Sequence, residues 1–252
     1  MRRILLTIEY KGTNYAGWQR QENALAVQQV LEDALEKMLQ QKVVLIASGR
    51  TDAGVHALGQ KAHFDYDGNF PLDRIPIASQ TILPSDISIL EAKEVSETLH
   101  AQYSAKKKTY RYQMYLSREN HPLLNDVYAP IPYAESYFDF PKVEQAAKDL
   151  IGTHDFAGFA NKGSQVRSTV RTIYDVTVKK EGMLLTFDIT GNGFLYNMVR
   201  IIAGTLVYIG LGKRNTDSIK RILDTQNRNL AGKTFPPQGL ILLNVDYGEQ
   251  EK

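Results

Sequence analysis

The order of apolar and polar positions predicts alternating strands and helices along the first hundred residues. Residues 26 to 40 carry apolar side chains three and four positions apart, which is the pattern of an amphipathic helix. Strand-like segments flank it, and Pro71 begins a second helical segment that ends near Leu83. The strands are "RILLTIEY", "VVLIA", "QKAHFDY" and "DISILEAKEV". This order, β-α-β-β-α-β, is the split βαβ pattern of an antiparallel sheet backed by helices.

The second part of the chain repeats this order. "KKTYRYQMY" predicts a strand, Pro141 begins a helix that ends near residue 151, and "RTIYDVTVKK" and "MLLTFDIT" predict a hairpin across a Glu-Gly turn. An apolar helix from about Leu195 to Ile209 follows, then a helix near residues 217 to 227 and a strand, "GLILLNVDY".

Together these elements predict an α+β fold. Two similar split-βαβ halves share a broad, mainly antiparallel sheet, with helices packed on it and a central catalytic cleft. Residues 1–104 form the N-terminal half, which carries a loop around Asp52. Residues 105–252 form the C-terminal half, which carries a tyrosine-containing strand for the substrate and the helix of Arg200.

Composition narrows the class of protein. The chain has 252 residues, 43% hydrophobic and 23% charged, which is typical of a globular protein with a substantial core. It has no cysteine, so disulfides, thiolate nucleophiles and cysteine-bound metals are excluded and a cytoplasmic location is expected.

The N-terminal apolar run is too short for a signal peptide. Residues 193 to 212 contain Asn197 and Arg200, which favours a buried helix over a membrane span. The net charge of +2 neither requires nor excludes nucleic acid.

Several common chemistries have no motif in this chain. A Walker phosphate loop, a dinucleotide-binding glycine motif, an H-E-x-x-H zinc motif and a G-x-S-x-G elbow are all missing. The histidines are scattered, so we predict no metal site. A role as a polar surface or loop residue is the favoured interpretation for His56, His63, His100 and His154. The carboxylate, aromatic and basic residues that remain suit chemistry on a base or a sugar.

Asp52 lies in a loop rich in glycine, "ASGRTDAGVHALGQ", between two apolar segments. One interpretation is an ordinary turn, since Thr-Asp-Ala-Gly is common turn chemistry and Arg50 is then a solvated neighbour. The other is a catalytic carboxylate held on a rigid loop. The loop alone favours the turn.

Arg200 is a charged residue inside an otherwise apolar helical segment. A buried guanidinium requires a partner, because an unpaired buried charge costs several kcal/mol or more. One alternative is that its stem carries the charge to solvent. The other pairs it with an acidic residue, and Asp52 is the first candidate, since the pair keeps the carboxylate ionised.

Basic and aromatic residues interleave in "SAKKKTYRYQMY". In a strand, Tyr110 and Tyr112 share one face and Arg111 points to the other. Aromatic faces beside the cations of Lys107 and Lys108 suit the stacking of single-stranded or extruded bases. The alternative is an ordinary strand with lysines at its edge.

The loop "YKGTNYAGWQRQ" holds the only Trp of the chain. Trp18 inside a polar loop is more often a core residue than a ligand contact. Arg20 and Gln21, which follow it, suit contacts to phosphate.

These segments together resemble the tRNA pseudouridine synthase A family. "GRTDAGVHA" is similar to its signature loop, and "YKGTNYAGWQRQ", "KKTYRY", "GTHDFAGF", "VRTI", "GFLYNMVR" and "PPQGLIL" follow in the expected order. The resemblance extends from about residue 4 to residue 247. It implies an isomerase that converts uridine to pseudouridine in the anticodon stem-loop of tRNA, at nucleotide positions 38 to 40.

The resemblance also implies roles for individual residues. Asp52 is the essential catalytic residue, Tyr110 contacts the target uracil, Arg200 pairs with Asp52, and Arg50 acts in base flipping or phosphate contact. His56, beside them in the signature loop, joins the expected substrate contacts. The family uses no metal or organic cofactor and works as a homodimer with the tRNA across both subunits.

Three positions depart from the family pattern, namely Leu99, Gln102 and Phe235. The change at Gln102 removes one basic residue and puts a single RNA contact in question. Two other functions are compatible with the residues alone. A non-catalytic RNA-binding protein uses the basic-aromatic strand, and a glycosidase uses the same Asp but releases free uracil.

Overall fold

The computed structural model describes residues 1–132, 137–161 and 167–248. Their helices and strands form an α+β fold in which most strand pairs are antiparallel, so the predicted fold class is confirmed. The chain divides into two compact units. The first unit is Met1–Lys108 together with the described residues from Ile241 onward, and the second is Thr109–Leu240.

The first unit contains a sheet whose strand order is β4-β1-β3-β10, with β2 also paired to β3. Its elements are β1 (Arg2–Tyr10), α1 (Val27–Leu39), β2 (Ile46–Ala47), β3 (His56–Tyr66), α2 (Ile75–Ser79), β4 (Ile87–Val95) and β10 (Leu240–Asp246). Strand β1 runs antiparallel to both β3 and β4, and it is buried on both faces at Ile4, Leu5 and Leu6. The predicted helix over residues 26 to 40 is α1.

The second unit contains the strand order β5-β9-β8-β7, with β6 paired to β5. Its elements are β5 (Lys107–Leu116), β6 (Ala129–Ile131), α3 (Phe140–Ala147), β7 (Gly152–Asp155), β8 (Val170–Glu181), β9 (Leu184–Gly191), α4 (Met198–Gly210) and α5 (Ser218–Thr225). The predicted hairpin is β8 and β9, which turn at Gly182 with a φ of 57°.

Two predicted elements of the first unit are shorter than expected. "VVLIA" contributes only the two residues of β2, because its backbone bonds to side chains of α1 instead of a strand. The Val43 N–H donates to Glu36 at 3.1 Å, and the Leu45 N–H donates to Glu32 at 2.9 Å. The helix expected to start at Pro71 is a 3₁₀ turn followed by the five residues of α2.

The second unit differs from prediction at α4 and at two short strands. Helix α4 begins at Met198 rather than Leu195, because Asn197 adopts a left-handed φ of 61° that a helix interior excludes. Its residues from Ile201 to Val207 are buried, as predicted. Strands β6 and β7 were not predicted. Among the described residues, no helix combines the length and the hydropathy of a membrane span.

The strand "GLILLNVDY" forms as predicted but pairs outside its expected half. In β10, Ile241 and Leu242 lie parallel to His56 and Ala57 of β3, in the first unit. Parallel pairing requires a long connection, and here that connection includes the whole second unit.

The histidines of β3 also differ from prediction. His56 and His63 are 3% and 2% exposed, so their interpretation as surface or loop residues is wrong. Each ring accepts a backbone N–H through Nδ1, from Gly12 at 2.9 Å and from Ala101 at 3.1 Å. Burial lowers the pKa of His63 to about 4, so its ring stays neutral at physiological pH.

Candidate active site

The loop of Asp52 connects β2 to β3 and is anchored to β3 at its start. The Ser48 N–H donates to the Lys61 carbonyl, and the Ser48 hydroxyl donates to Gln60 Oε1, both at 2.7 Å. The amide of Gln60 then donates to the Gly49 carbonyl at 2.9 Å. Gln60 is fully buried, so these bonds are shielded from water.

The second half of the loop is anchored to the segment that precedes α1. The Trp18 N–H donates to the Thr51 carbonyl at 3.0 Å, and the Gly54 N–H donates to the Tyr15 carbonyl at 3.3 Å. The hydroxyl groups of Tyr10 and Thr51 share a hydrogen bond of 2.8 Å. Burial raises the pKa of Tyr10 to about 12, so its hydroxyl stays protonated.

Two glycines allow these segments to approach each other. A Cβ on Gly12 would lie 2.0 Å from the Val55 carbonyl oxygen. A Cβ on Gly17, whose φ is 92°, would lie 2.6 Å from the Thr51 carbonyl oxygen. Both distances are shorter than the contacts that Cβ atoms make in proteins, so only glycine fits at these two positions.

Asp52 itself begins a tight turn and is half-buried. Its carbonyl accepts the Val55 N–H at 3.1 Å, which is the turn that the first interpretation predicts. The second interpretation requires a rigid support, and the anchors on both sides of Asp52 provide one. Arg50, two residues earlier, is exposed and makes no hydrogen bond with the described residues.

Trp18 is a core residue, as expected, and the residues after it are held by α1. Trp18 is 1% exposed, and its ring lies 6.0 Å from that of Tyr10. The guanidinium of Arg20 bonds to Glu32 and Asp33, each at 3.1 Å, and these carboxylates raise its pKa. Gln21 donates to the Ala16 carbonyl at 3.2 Å.

A buried polar pair on α1 supports this segment, and the sequence analysis missed it. Gln28 and Glu32 are 7% and 4% exposed. Gln28 Oε1 accepts the side chain of Gln19 and the backbone N–H of Arg20, both at 3.0 Å. Glu32 Oε1 accepts from Gln28 at 2.8 Å. The available signal was that these residues lie four apart, next to the apolar stripe of α1.

Lys108 contacts the Asp52 loop. Its ammonium donates to the Ser48 carbonyl at 2.5 Å, and burial lowers its pKa to about 8. Lys107, one residue earlier, is exposed. The two lysines predicted to bind substrate therefore have different environments.

In the second unit, the tyrosine strand divides into three environments. The half-buried ring of Tyr110 lies edge-to-face against Phe194, with centroids 5.1 Å apart and an angle of 83°. Arg111 forms two bonds of 2.7 Å with Asp188. Tyr112 is fully buried and donates to the Pro236 carbonyl at 2.7 Å. Of the two tyrosines, Tyr110 is thus the one that lies outside the core.

Arg200 is held in the first turn of α4 by specific acceptors. Its Nε donates to the Phe235 carbonyl at 2.7 Å, and its terminal nitrogen donates to Asn197 Oδ1 at 2.6 Å. The Phe235 N–H returns a bond to the Arg200 carbonyl at 3.2 Å. Phe235 departs from the family pattern, yet the bonds to Arg200 use its backbone, so any residue except proline can supply them. Gly204 makes room for the ring, since a Cβ there would lie 2.8 Å from it.

No group of three or more His, Asp or Glu side chains in the described part of the chain could hold a metal ion.

The comparisons with known proteins agree with the motifs. The family model described as tRNA pseudouridine synthase matches residues 6–104 and 146–248. The chain belongs to the tRNA pseudouridine synthase family. The resemblance of the sequence motifs is therefore confirmed, and the protein is an isomerase that acts on uridine in tRNA.

Relatives named tRNA pseudouridine synthase A match over nearly the whole chain. The relative from Thermoanaerobacter sp. (strain X514) is 44% identical over 247 residues, which is 98% of this chain and 100% of the relative. The relative from Caldicellulosiruptor saccharolyticus is 46% identical over 98% of this chain and 100% of its own length. The relative from Anoxybacillus flavithermus is 47% identical over 98% of this chain and 99% of its own length. Among solved structures, the chain is similar to "Crystal Structure of a Cbf5-Nop10-Gar1 Complex" with a TM-score of 0.41 and 12% identity, covering 97% of this chain and 50% of that chain.

Proposed function

We propose that the protein isomerises uridines in the anticodon stem-loop of tRNA, at positions 38 to 40, with Asp52 as the catalytic carboxylate. The observation that carries this proposal is the support of the Asp52 loop. Backbone bonds from Trp18 and Gly54, and the buried side chain of Gln60, fix the loop on both sides of Asp52. A carboxylate that is held in place loses little entropy and needs little rearrangement when the reaction begins.

The reaction exchanges one glycosidic bond for another. The bond from N1 of uracil to C1′ of ribose breaks, the base turns, and a bond from C5 to C1′ forms. The proton on C5 leaves and N1 gains a proton, so atoms and charge balance without a co-reactant. Asp52 either attacks as a nucleophile or stabilises positive charge on the sugar.

We propose Arg200 as the partner that keeps Asp52 ionised. Its guanidinium is oriented by the Phe235 carbonyl and Asn197 Oδ1, so it is not a freely moving cation. A fixed guanidinium near a carboxylate lowers the pKa of that carboxylate.

Tyr110 is the proposed contact to the target uracil. Its edge-to-face packing on Phe194 fixes the ring plane. The uridine must leave its stack at a cost of a few kcal/mol, and contacts from Tyr110 and the exposed Arg50 offset that cost. The Tyr110 hydroxyl is also a candidate to move the C5 proton.

The other predicted substrate residues take two proposed roles. Exposed Lys107 contacts phosphate. Arg20, Gln21, His56 and Lys108 support substrate binding through the loops, because each bonds to the Asp52 loop, to the segment before α1 or to α1 itself. A homodimer, a cytoplasmic location and activity without metal or organic cofactor complete the proposal.

The experiment maps pseudouridine in tRNA transcripts after treatment with wild-type protein, Asp52→Asn and Asp73→Asn. Asp73 is an exposed residue of the first unit and serves as the matched control, since its side chain is 80% exposed. We expect pseudouridine at positions 38 to 40 with wild-type and Asp73→Asn protein in the presence of a chelator, and none with Asp52→Asn. Modification elsewhere in the tRNA would overturn the substrate assignment, and an active Asp52→Asn would overturn the catalytic one.

A further inference from the structure

Positive charge is concentrated around α5. Residues 213 to 228 contain five basic and two acidic residues, a net charge of +3, whereas the whole chain has only +2. The basic residues are Lys213, Arg214, Lys220, Arg221 and Arg228. Such a local excess attracts a polyanion even when the net charge of the protein is small.

A small cavity opens within this basic segment. It is lined by Arg214, Ser218, Arg221 and Leu230. Ser218 is the first residue of α5 and is 8% exposed. Its backbone N–H donates to Asn215 at 3.1 Å, but its hydroxyl has no hydrogen-bond partner among the described residues. This hydroxyl still reaches solvent, so it can donate a hydrogen bond to a ligand that enters the cavity.

The two arginines of the cavity lack the carboxylate partners that several other arginines of the protein have. Arg3, Arg20 and Arg111 each bond to a carboxylate, at 2.8, 3.1 and 2.7 Å. Arg214 and Arg221 are exposed, and their guanidinium groups form no ion pair with any described residue. Asp217 and Asp224 are close in sequence, yet neither lies within ion-pair distance of them in the described structure. Both guanidinium groups therefore remain available to a ligand.

The chemistry of this cavity selects for phosphate. A guanidinium presents a planar fork of N–H donors that matches two phosphate oxygens, and a hydroxyl supplies one more donor. The ammonium of Lys213 lies 5.7 Å from the ring of Tyr208 and adds positive charge nearby. Leu230 closes one wall without an acceptor that would compete for the donors.

We propose that this cavity binds a backbone phosphate of the tRNA substrate. The inference rests on the proposed function, since it assumes that the bound polyanion is tRNA. None of Asp52, Tyr110 and Arg200 lines the cavity. It therefore contributes to the affinity for tRNA and not to the chemical step.

The test compares Arg214→Gln/Arg221→Gln with the control Arg74→Gln. Arg74 is an exposed arginine of the first unit whose side chain is 69% exposed. The dissociation constant for a tRNA transcript is measured by fluorescence anisotropy across a series of salt concentrations, and the single-turnover rate is measured at saturating enzyme. Ser218→Ala is the third variant, because it keeps every charge.

We expect the double variant to bind tRNA about tenfold more weakly and to lower the slope of log K against log salt by about 1. Its saturating rate stays at the wild-type value, and Arg74→Gln resembles wild type in both. Ser218→Ala weakens binding about threefold without changing the slope.

Two outcomes would overturn the inference. One is a double variant, folded by its thermal melting curve, that binds tRNA as Arg74→Gln does. The other is a millimolar affinity for inorganic phosphate that is lost in the double variant while tRNA binding is unchanged, which would make the cavity a free-anion site. A wild-type protein that modifies no tRNA would instead refute the proposed function, so the two failures are distinguishable.

Discussion

Replacing Gly17 with Ala tests whether the close approach of two loops positions Asp52. Gly17 has a φ of 92°, and a Cβ there would lie 2.6 Å from the Thr51 carbonyl oxygen and 3.1 Å from the Asp52 carbonyl carbon. Gly182→Ala is the matched control. Gly182 also has a positive φ, of 57°, but a Cβ there meets no atom within 4 Å.

The magnitudes follow from this difference. A left-handed conformation costs an alanine about 1 to 2 kcal/mol, and both variants incur that cost. Gly17→Ala adds an overpacking cost of about 1 to 3 kcal/mol, because the neighbouring atoms belong to the backbone and cannot rotate away. We therefore expect the free energy of unfolding to fall by about 2 to 5 kcal/mol in Gly17→Ala and by about 1 to 2 kcal/mol in Gly182→Ala.

The activities of the two variants should differ more than their stabilities. A misplacement of about 1 Å can lower a rate about 100-fold, so kcat for Gly17→Ala should fall at least about tenfold at a temperature where it is folded. Gly182→Ala should keep the wild-type kcat within about twofold. Urea denaturation gives the stabilities, and tritium release from tRNA labelled at C5 of uridine gives the rates. Equal losses of stability in both variants, with kcat preserved in both, would refute the reasoning.

Three further predictions concern single side chains. Glu32→Gln keeps an oxygen that can accept the Leu45 N–H, but it replaces the oxygen that accepts from Arg20 with an NH2 donor and removes the charge. It should lower the unfolding free energy in urea by about 1 to 3 kcal/mol, whereas exposed Asp33→Asn should cost less than about 1 kcal/mol, and similar losses in both would contradict the network. Burial lowers the pKa of Lys108 from 10.5 to about 8, so between these two pH values the unfolded chain binds more protons than the folded protein. The unfolding free energy of wild type should therefore rise with pH in this range by an increment that Lys108→Met lacks, and parallel curves of stability against pH would contradict the prediction. Tyr110→Phe keeps the ring against Phe194 but removes the hydroxyl, so kcat should fall about 100-fold with the dissociation constant for tRNA unchanged, and a wild-type kcat would exclude the hydroxyl from proton transfer.

The elements predicted best are those defined by local periodicity. The apolar stripe of α1 and the hairpin of β8 and β9 both form as expected, and buried residues alternate along β9. The pairing of β10 with β3 was not predictable in this way. It depends on a contact between segments far apart in sequence, to which periodicity within one segment is blind.

The site was predicted unevenly for a similar reason. The motifs selected Asp52, Tyr110 and Arg200 as candidates, but their supports came only from the structure. Gln28 and Glu32 are polar residues on a helix, which are usually solvated, so their spacing beside the apolar stripe is only a weak sign of their burial. The prediction for His56 and His63 of β3 was wrong for the same reason, since polar residues expected at the surface instead accept hydrogen bonds from backbone N–H groups in the interior.

The central claim is that Asp52 is the catalytic carboxylate. The most direct measurement is the single-turnover rate of tritium release from C5-labelled tRNA with wild type, Asp52→Glu and Asp52→Asn, together with the affinity of each for the same tRNA. The account predicts no release above background with Asp52→Asn, a strongly reduced rate with Asp52→Glu, and unchanged affinity for both. Release by Asp52→Asn within about tenfold of wild type would contradict it and leave Asp52 as a turn residue.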